Sequence, residues 1–483
     1  MTEPVVPKPA ATEVRTRGHG EQPPVQGASG GPMSRQYRVI SVSLLALVTI
    51  VAFEAMAIST AMPVVARDLG AVRSYGLAFS LLLTAQLLAT VVAGVWCDRA
   101  GPMPSLYVGQ VLFGAGCLVA GAAISFPILL VGRVLAGLGA GLVIVALNVV
   151  IGRAFPMSVR PKVFSWMSAA WVLPSLVGPP LAGWLATYSW RLVFFLVVPP
   201  VLVVFLLIGS QRDRLGHTPG VGLPTDDRST AAGHRRTAAF GVVVATSAVL
   251  LQYASQHLTP VSPATTALAI AGLVGIALVL PKLVPPGTLA MARGLPSVMF
   301  SRFVLAGSWA GGTTFVPLML VATRHLSPAL AGAMLTVGSL GWSAGSWAQG
   351  RDRFHGRRSG LIAVGAVCLS TGTAALAAMT QFGWPSGVVA LAEIAAGLGM
   401  GLSMSSTSVL ALGLSPTSEH GRASSSLQLC DTLGSLLGIA AAGAVFAALH
   451  HPGDSDAHVF VLIWSGLALL AGVGVVSGQR TRT

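Results

Sequence analysis

Long apolar segments alternate with short polar ones along nearly the whole chain. A helix that crosses a bilayer needs about 20 mostly apolar residues, and fourteen segments meet that requirement. They are predicted at residues 39–63, 75–97, 105–126, 128–151, 163–187, 192–209, 239–257, 264–284, 297–321, 328–350, 360–380, 386–412, 423–449 and 459–478. The connection between the seventh and eighth segments is fairly polar, so the pattern leaves open whether both of these cross the bilayer.

The composition supports an integral membrane protein built from helices. Of the 483 residues, 53% are hydrophobic and only 9% are charged, whereas soluble proteins carry about 25% charged residues. Many of the 57 glycines fall inside the apolar segments, where small residues let helix backbones approach closely. We therefore expect an all-α membrane protein with closely packed helices.

The positive charges indicate the direction of the helices. Most of the 29 Lys and Arg residues fall in segments that face the same side, including the tail and residues 153–162, 212–236, 282–302 and 351–358. Cytoplasmic loops carry such an excess, which predicts that both termini are cytoplasmic. This use of the net charge of +14 also argues against nucleic acid binding. Residues 1–38 are predicted to be a disordered cytoplasmic tail and residues 210–238 a cytoplasmic linker.

An internal repeat divides the chain into two halves. "GRVLAGLGAGL" (132–142) aligns with "AEIAAGLGMGL" (392–402) at an offset of 260, which places Arg133 on Glu393. The same offset places Gly178 on Gly438 and Gly183 on Gly443. We therefore predict six-helix bundles at 39–209 and 297–478 with two inserted helices at 239–284. In transporters with parallel repeats of this kind, the site lies near the midplane between the halves.

Four charged residues are predicted to lie at bilayer depth: Glu54, Arg133, Glu393 and Asp431. A charge at this depth is costly and usually faces a partner or a cavity. Glu54 and Arg133 lie at similar depth in antiparallel helices, so their side chains are expected to reach each other. Burial favours the protonated carboxyl and Arg133 favours the carboxylate, so we predict that Glu54 exchanges a proton during transport. The alternative is a permanent structural ion pair.

The other two acids have neighbours of a different kind. Helical spacing places Met400 and Met404 on the face of Glu393, where they are predicted to line a substrate cavity or to serve only as packing. Asp431 shares a face with Gln428 and Ser435, which predicts a proton or substrate site or, alternatively, a hydrogen-bonded clamp between helices. All three acids and Arg133 are thus predicted to take part in proton coupling.

Four motifs resemble the major facilitator superfamily and, within it, the fourteen-helix drug:proton antiporters. They are "FEAMAISTAMP" (53–63), "GVWCDRAGPMPSL" (94–106), "GRVLAGLGAG" (132–141) and "WVLPSLVGPPLAGWL" (171–185). The resemblance implies the major facilitator fold with two additional helices. It also implies a conformational switch at the second motif, in which the aspartate docks on a neighbouring helix, and a gating bend in the fifth helix. The residues that match these two motifs are Gly94, Asp98, Arg99, Gly101, Gly178 and Pro179.

The predicted function is export of a small hydrophobic or cationic molecule across the plasma membrane in exchange for protons, by alternating access. The alternatives are export of a specific lipid, siderophore or metabolite, proton-coupled import, and a receptor or scaffold without transport. No nucleophile, metal set or phosphate loop indicates an enzyme, and no cofactor is predicted. The four cysteines show no disulfide or metal spacing. The loop "LHHPGDSDAH" (449–458) is predicted to be a solvated turn rather than a metal site.

Overall fold

The computed structural model describes residues 32–156, 159–210, 228–256, 262–351, 356–416 and 420–482, which form helices and no strands. Two of the fourteen helices consist of two segments each. The helices are α1 (Arg38–Asp68), α2 (Leu77–Ala100), α3 (Pro102–Gly121), α4 (Phe126–Ala154), α5a (Arg160–Ala169) with α5b (Val172–Tyr188), α6a (Arg191–Phe195) with α6b (Val198–Gly209), α7 (Arg228–Gln256), α8 (Pro263–Leu283), α9 (Leu295–Ala322), α10 (Pro328–Gln349), α11 (Arg358–Phe382), α12 (Gly387–Gly413), α13 (His420–Leu449) and α14 (Ala457–Gln479).

Two predicted helices are interrupted in the structure, and a third begins well before its predicted start. The fifth helix, predicted to be continuous, is interrupted at Ala170 and Trp171, upstream of its proline pair. The sixth is interrupted before Pro199 and Pro200, which lack the backbone N–H that an uninterrupted helix would use. Helix α7 begins at Arg228, inside the predicted linker, because alanine and arginine in "RSTAAGHRRTAAF" favour helix. The rest of that linker and most of the predicted tail lie outside the described residues.

Length and apolar character qualify eleven of the described helices as membrane spans. The exceptions are α5, α7 and α10. Helix α5 is broken into two segments, the apolar part of α7 is the short stretch Ala239–Ala254, and α10 is rich in glycine and serine. Such helices depend on packing against neighbours to lie in a bilayer. The protein is thus a multi-pass membrane protein with two bundles of six helices and two inserted helices.

The internal repeat is visible in the contacts of equivalent glycines. A Cβ atom at Gly139 would collide with α3, and one at Gly399 would collide with the equivalent helix α11. Likewise, Gly137 packs against α2 and Gly397 against α10. In each half, the absence of a side chain at these glycines lets the fourth helix pack closely against the second and third helices of the same half. The two halves therefore share one packing scheme.

The inserted helices pack beside one of the two seams between the bundles. Helix α7 contacts α2 of the first bundle and α13 of the second, while α8 packs mainly on α7. The side-chain amide of Gln252 on α7 donates to the hydroxyl of Thr84 on α2 over 3.0 Å. The other seam is formed by α5b and α10. The inserted pair therefore makes the two seams different.

The two bundles meet closely at the end where α1 ends and α2 begins, which the charge distribution predicts to face outside and which we call the outer end. There the hydroxyl of Tyr75 donates to the carbonyl of Thr314 over 2.9 Å, and Arg73 Nε donates to the carbonyl of Ala447 over 2.7 Å. Phe315 packs between Tyr75 and Phe446, with ring centroids 5.3 and 5.6 Å away. These contacts close the outer end.

The repeat also relates the two seams at the outer end. Gly183 on α5b lies against Ala329 at the start of α10, and Gly443 on α13 lies against Gly76 just before α2. A Cβ atom at Gly183 would lie 2.6 Å from the carbonyl oxygen of Pro328, and one at Gly76 would lie 2.9 Å from Cα of Gly443. Both seams are therefore closed by backbone contacts that glycine permits.

Candidate functional site

Glu54 and Arg133 form an ion pair inside the first bundle. Glu54 lies on α1 and Arg133 on α4, and only 2% of the surface of each residue is exposed. Arg133 Nε also donates to the carbonyl of Ala78 on α2 over 3.2 Å. The structure thus brings together the two charges that helical depth predicts to be close. Removal of either partner would leave a charge buried without compensation.

A second charged pair lies in the other bundle. Arg302 Nε on α9 donates to Asp431 Oδ1 on α13 over 2.9 Å. Arg302 Nη1 also donates to the carbonyl of Met404 and to the hydroxyl of Thr407, both on α12, over 3.0 and 3.3 Å. Arg302 therefore connects three helices, as Arg133 does in the first bundle. The side chains of Arg302 and Asp431 are 14% and 27% exposed, so this pair is closer to solvent than the first.

Sequence reasoning missed Arg302, which it assigned to the cytoplasmic segment 282–302. The signal was available, because residue 302 falls inside the predicted helix 297–321. The neighbours predicted for Asp431 differ in burial: Gln428 is exposed and Ser435 is half-buried. The structure therefore gives Asp431 an arginine partner, and a role of Gln428 and Ser435 in substrate binding stays a prediction.

Glu393 has no comparable partner. It lies on α12 with 1% of its surface exposed, and neither carboxyl oxygen has a hydrogen-bond partner in the described part of the chain. Its carboxyl group lies against Gly338 of α10, where an added Cβ atom would be 2.7 Å from Glu393 Oε2. The three acids of the predicted site thus occupy two kinds of environment, since Glu54 and Asp431 are paired with arginine and Glu393 is not.

These features can be compared with known proteins. The sequence profile of the Major Facilitator Superfamily matches residues 44–439. The chain belongs to this superfamily. Its members are generally carriers rather than enzymes.

Several relatives within the superfamily have been named as efflux proteins. The multidrug efflux pump SdrM of Staphylococcus aureus is 26% identical over 168 residues, covering 35% of this chain and 38% of the pump. The MFS transporter L2 of Phoma is 33% identical over 178 residues but is covered over only 30% of its length. A probable multidrug-efflux transporter of Mycobacterium tuberculosis is 24% identical over 394 residues, covering 80% of this chain and 82% of the relative. The first two matches thus span about a third of each relative.

Solved structures agree with the major facilitator fold. A peptide transporter, POT, in complex with sulfate superimposes with a TM-score of 0.66 at 16% identity, covering 92% of this chain and 96% of the other. A D-xylose-proton symporter gives a TM-score of 0.60 at 15% identity, covering 92% of this chain and all of the other. At these identities the similarity concerns the fold alone.

The predicted switch of this superfamily lies at the junction of α2 and α3. Gly101 has a φ of +78°, a conformation that favours glycine, and it lets α3 begin directly after α2. Arg153 at the end of α4 donates to the carbonyl of Cys97 over 3.4 Å. Arg99 is exposed and Gly94 has open space beside it. The side chain of Asp98 lies outside the described residues, so its docking stays a prediction.

The predicted gating motif of the fifth helix lies between the bundles. An added Cβ atom at Gly178 would meet Met56 of α1 at 3.4 Å, and the carbonyl of Pro179 lies close to Gly332 of α10. Helix α5b continues through Pro179 and Pro180. The motif is therefore placed where α1, α5b and α10 meet, and the gating bend itself stays a prediction.

The two methionines predicted to line a cavity are buried. Met400 and Met404 are 1% and 7% exposed and lie in an apolar cluster with residues of α9, α11 and α14. Met404 is also close to the second charged pair, because its carbonyl accepts from Arg302. Packing accounts for both side chains in this conformation, and contact with substrate stays a prediction.

The outer loop between α13 and α14 is exposed at residues 451–455, while its two ends are joined by a largely buried contact. His450 Nδ1 lies 2.8 Å from Asp456 Oδ1, and its ring stacks on Phe446 with centroids 5.0 Å apart. These side chains are only 14% and 10% exposed. Among the described residues, no group of three or more His, Cys, Asp and Glu side chains could hold a metal ion.

We expect Arg302→Gln to lower the free energy of unfolding by about 1.5 to 3 kcal/mol, the range for hydrogen bonds to charged groups. Asp431→Asn should have a similar effect, and the double variant should cost less than the sum of the two. Denaturant unfolding in mixed micelles would measure these values, with Arg67→Gln, an exposed arginine, as the control. Full additivity of the two effects would contradict a direct Arg302–Asp431 interaction.

Proposed function

We propose that this transporter exports small hydrophobic or cationic molecules in exchange for protons and that it works by alternating access. The observation that carries the proposal is the Glu54–Arg133 pair, a buried ionisable carboxyl at the centre of an apolar bundle. Ionisable residues at such depth mark substrate and proton pathways in membrane proteins. The efflux proteins among the relatives support the direction of transport.

In the proposed cycle, substrate enters from the cytoplasm and a proton enters from outside, and both compete for Glu54 and its neighbours. Protonation of Glu54 removes a charge from the pair with Arg133. The two conformations then differ in free energy according to whether Glu54 is charged, and this difference biases the movement of the bundles. Glu393 and Asp431 provide acids in the other half, and Asp98, Arg99, Gly178 and Pro179 belong to the elements that change conformation.

The fourteen helices and the four motifs support assignment to the drug:proton antiporters of the superfamily. We place the protein in the plasma membrane with both termini in the cytoplasm, on the basis of its Lys and Arg distribution. Export of one specific lipid, siderophore or metabolite, proton-coupled import, and a receptor or scaffold role are the competing functions. Transport measurements separate them, because a receptor moves nothing and an importer couples proton and substrate in the same direction.

The test uses the purified full chain in proteoliposomes with an acidic lumen and a clamped membrane potential. Tetraphenylphosphonium, a hydrophobic cation, serves as the probe. We expect the wild type to accumulate the probe until nigericin dissipates the pH gradient, because outward proton movement drives uptake. Glu54→Gln should reduce this accumulation by about tenfold or more, since the amide cannot exchange a proton.

The matched control is Asp454→Asn, which neutralises an exposed carboxylate in the outer loop and should leave accumulation unchanged. Undiminished accumulation in Glu54→Gln would remove Glu54 from the coupling role. A wild type that does not move the probe would argue against an exporter of broad specificity and in favour of a specific exporter or a receptor.

A further inference from the structure

Glu393 is the buried acid whose charge the structure does not compensate. Glu54 and Asp431 each bind an arginine, whereas both oxygens of Glu393 lack a hydrogen-bond partner in the described part of the chain. An isolated carboxylate without partners is far too costly in such surroundings, so the neutral acid is the form that fits this conformation. Its environment is therefore that of a protonated carboxyl group.

The helices packed on α12 place their charged groups far from this carboxyl. Helix α10 has no ionisable side chain, and α11 has only Cys368 and Arg358, which lies about 20 Å along the axis from the level of Glu393. Arg302 and Asp431 are paired at the level of Met404, about 16 Å along α12. The side chains of His420 and Arg422 at the start of α13 lie outside those described. At the outer end, Arg324 donates to the carbonyl of Met379.

The helix that contacts Glu393 is also the helix that closes one seam. The carboxyl group lies against Gly338 of α10. Gly332, nearly two turns earlier on the same helix, faces α5b: a Cβ atom added there would lie 2.5 Å from the carbonyl oxygen of Pro179. The start of α10 packs on Gly183 of α5b. The position of α10 relative to α12 thus affects both the surroundings of Glu393 and the outer closure.

We infer that Glu393 is a second proton-carrying residue, which takes up its proton while the outer end is open, holds it while α10 and α12 are packed together, and gives it up to the cytoplasmic side before α10 moves away from α12 again. This inference rests on the proposed function and assigns to Glu393 a task separate from that of Glu54. An O–H bond forms on the Glu393 carboxylate when a proton arrives from the outer side. The same bond breaks when the proton passes to water on the cytoplasmic side.

The mechanism follows from the packing around Gly338. A neutral carboxyl allows α10 and α12 to approach closely, because no charge is held in the apolar contact. Loss of the proton leaves a carboxylate that must reach water, and separation of α10 from α12 is the movement that admits water. The charge on Glu393 therefore changes the free energy difference between the outer-closed and outer-open conformations.

The test compares two transport modes of the reconstituted full chain. Glu393→Gln imitates the permanently protonated acid, so we expect accumulation of tetraphenylphosphonium driven by the pH gradient to fall about tenfold or more. Exchange of labelled for unlabelled probe, with no gradient, should stay within about twofold of wild type, because it needs no net proton movement. Glu393→Asp, which keeps an acid, should retain part of the driven accumulation.

A pH profile separates proton transfer from a purely structural role. Exchange by the wild type should depend on pH, and exchange by Glu393→Gln should depend on it less, because one titrating group is missing. Gly338→Ala places a methyl group against Glu393 Oε2 and should weaken driven accumulation while exchange continues. Infrared spectroscopy should show a neutral carboxylic acid band in the wild type that Glu393→Gln lacks.

Three outcomes overturn the inference and leave the proposed function in place: full driven accumulation in Glu393→Gln, equal loss of both transport modes in a variant that unfolds like wild type, or an unchanged infrared band. A wild type that shows no gradient-driven accumulation overturns the proposed function and this inference together. If Glu54→Gln loses gradient-driven accumulation while Glu393→Gln accumulates the probe like wild type, the inference about Glu393 is overturned and the proposed function is kept.

Discussion

Arg133→Met should lower the free energy of unfolding by about 3 to 5 kcal/mol, the cost of leaving one member of a buried ion pair without its partner. The variant keeps an unbranched but shorter side chain and removes its charge, so Glu54, which is 2% exposed in the structure, has no cation beside it. Denaturant unfolding in mixed micelles would measure the change. Arg67→Met, at an exposed position of α1, should change the stability by less than about 0.5 kcal/mol.

The double variant Glu54→Gln/Arg133→Met should regain most of the lost stability, because neither charge remains buried. Its transport then distinguishes the two interpretations of the pair. If the pair is only structural, the stabilised double variant should transport normally. We expect it to be inactive in gradient-driven transport, since it has no proton to exchange at this site. A double variant that is as unstable as Arg133→Met would contradict the pairing itself.

Gly183→Ala should shift the equilibrium away from the outer-closed conformation by about 5- to 150-fold. The added methyl group would collide with Ala329 and would lie 2.6 Å from the carbonyl oxygen of Pro328. Both contacts involve backbone, and overpacking of this kind costs about 1 to 3 kcal/mol. The collision exists only while α5b and α10 are together, so the methyl group destabilises that conformation selectively.

Labelling from the outside measures the shift. A cysteine at Thr336, whose hydroxyl lies 3.5 Å from the carbonyl of Leu176 across this seam, reports opening in a chain without its native cysteines. The equivalent substitution Gly443→Ala is the control, because its Cβ atom would be 3.4 Å from Gly76 and needs only a small adjustment. Equal labelling in Gly183→Ala and Gly443→Ala would contradict the collision argument.

The fold and the Glu54–Arg133 pair could be predicted from the sequence, and the reason is physical. A bilayer requires long apolar helices, and a constant offset between repeats carries their packing from one half to the other. Gly137 and Gly397 illustrate this, because equivalent positions contact equivalent helices. The depth of Glu54 and Arg133 follows from the helical rise, so their pairing could be expected before any side chain was placed.

The Arg302–Asp431 pair and the surroundings of Glu393 were not predicted by this reasoning. Arg302 sits near the start of α9, where an arginine is commonly attributed to the cytoplasmic boundary, and only the three-dimensional arrangement brings it to Asp431. The contact between Glu393 and Gly338 depends on the rotation of α12 relative to α10, which helical spacing within one helix does not determine. The interruption at Ala170 and Trp171 was missed because the prolines downstream were the stronger sequence signal.

Helix α7 makes the two sides of the protein mechanically unequal. It touches α2 of one half and α13 of the other, so it straddles one seam, while α5b and α10 form the opposite seam. When the two halves separate, α2 and α13 have to slide along α7. At the opposite seam, α5b and α10 can move apart directly. Molecules dissolved in the lipid thus meet one seam that α7 covers and one that it leaves open, although the internal repeat relates the two seams.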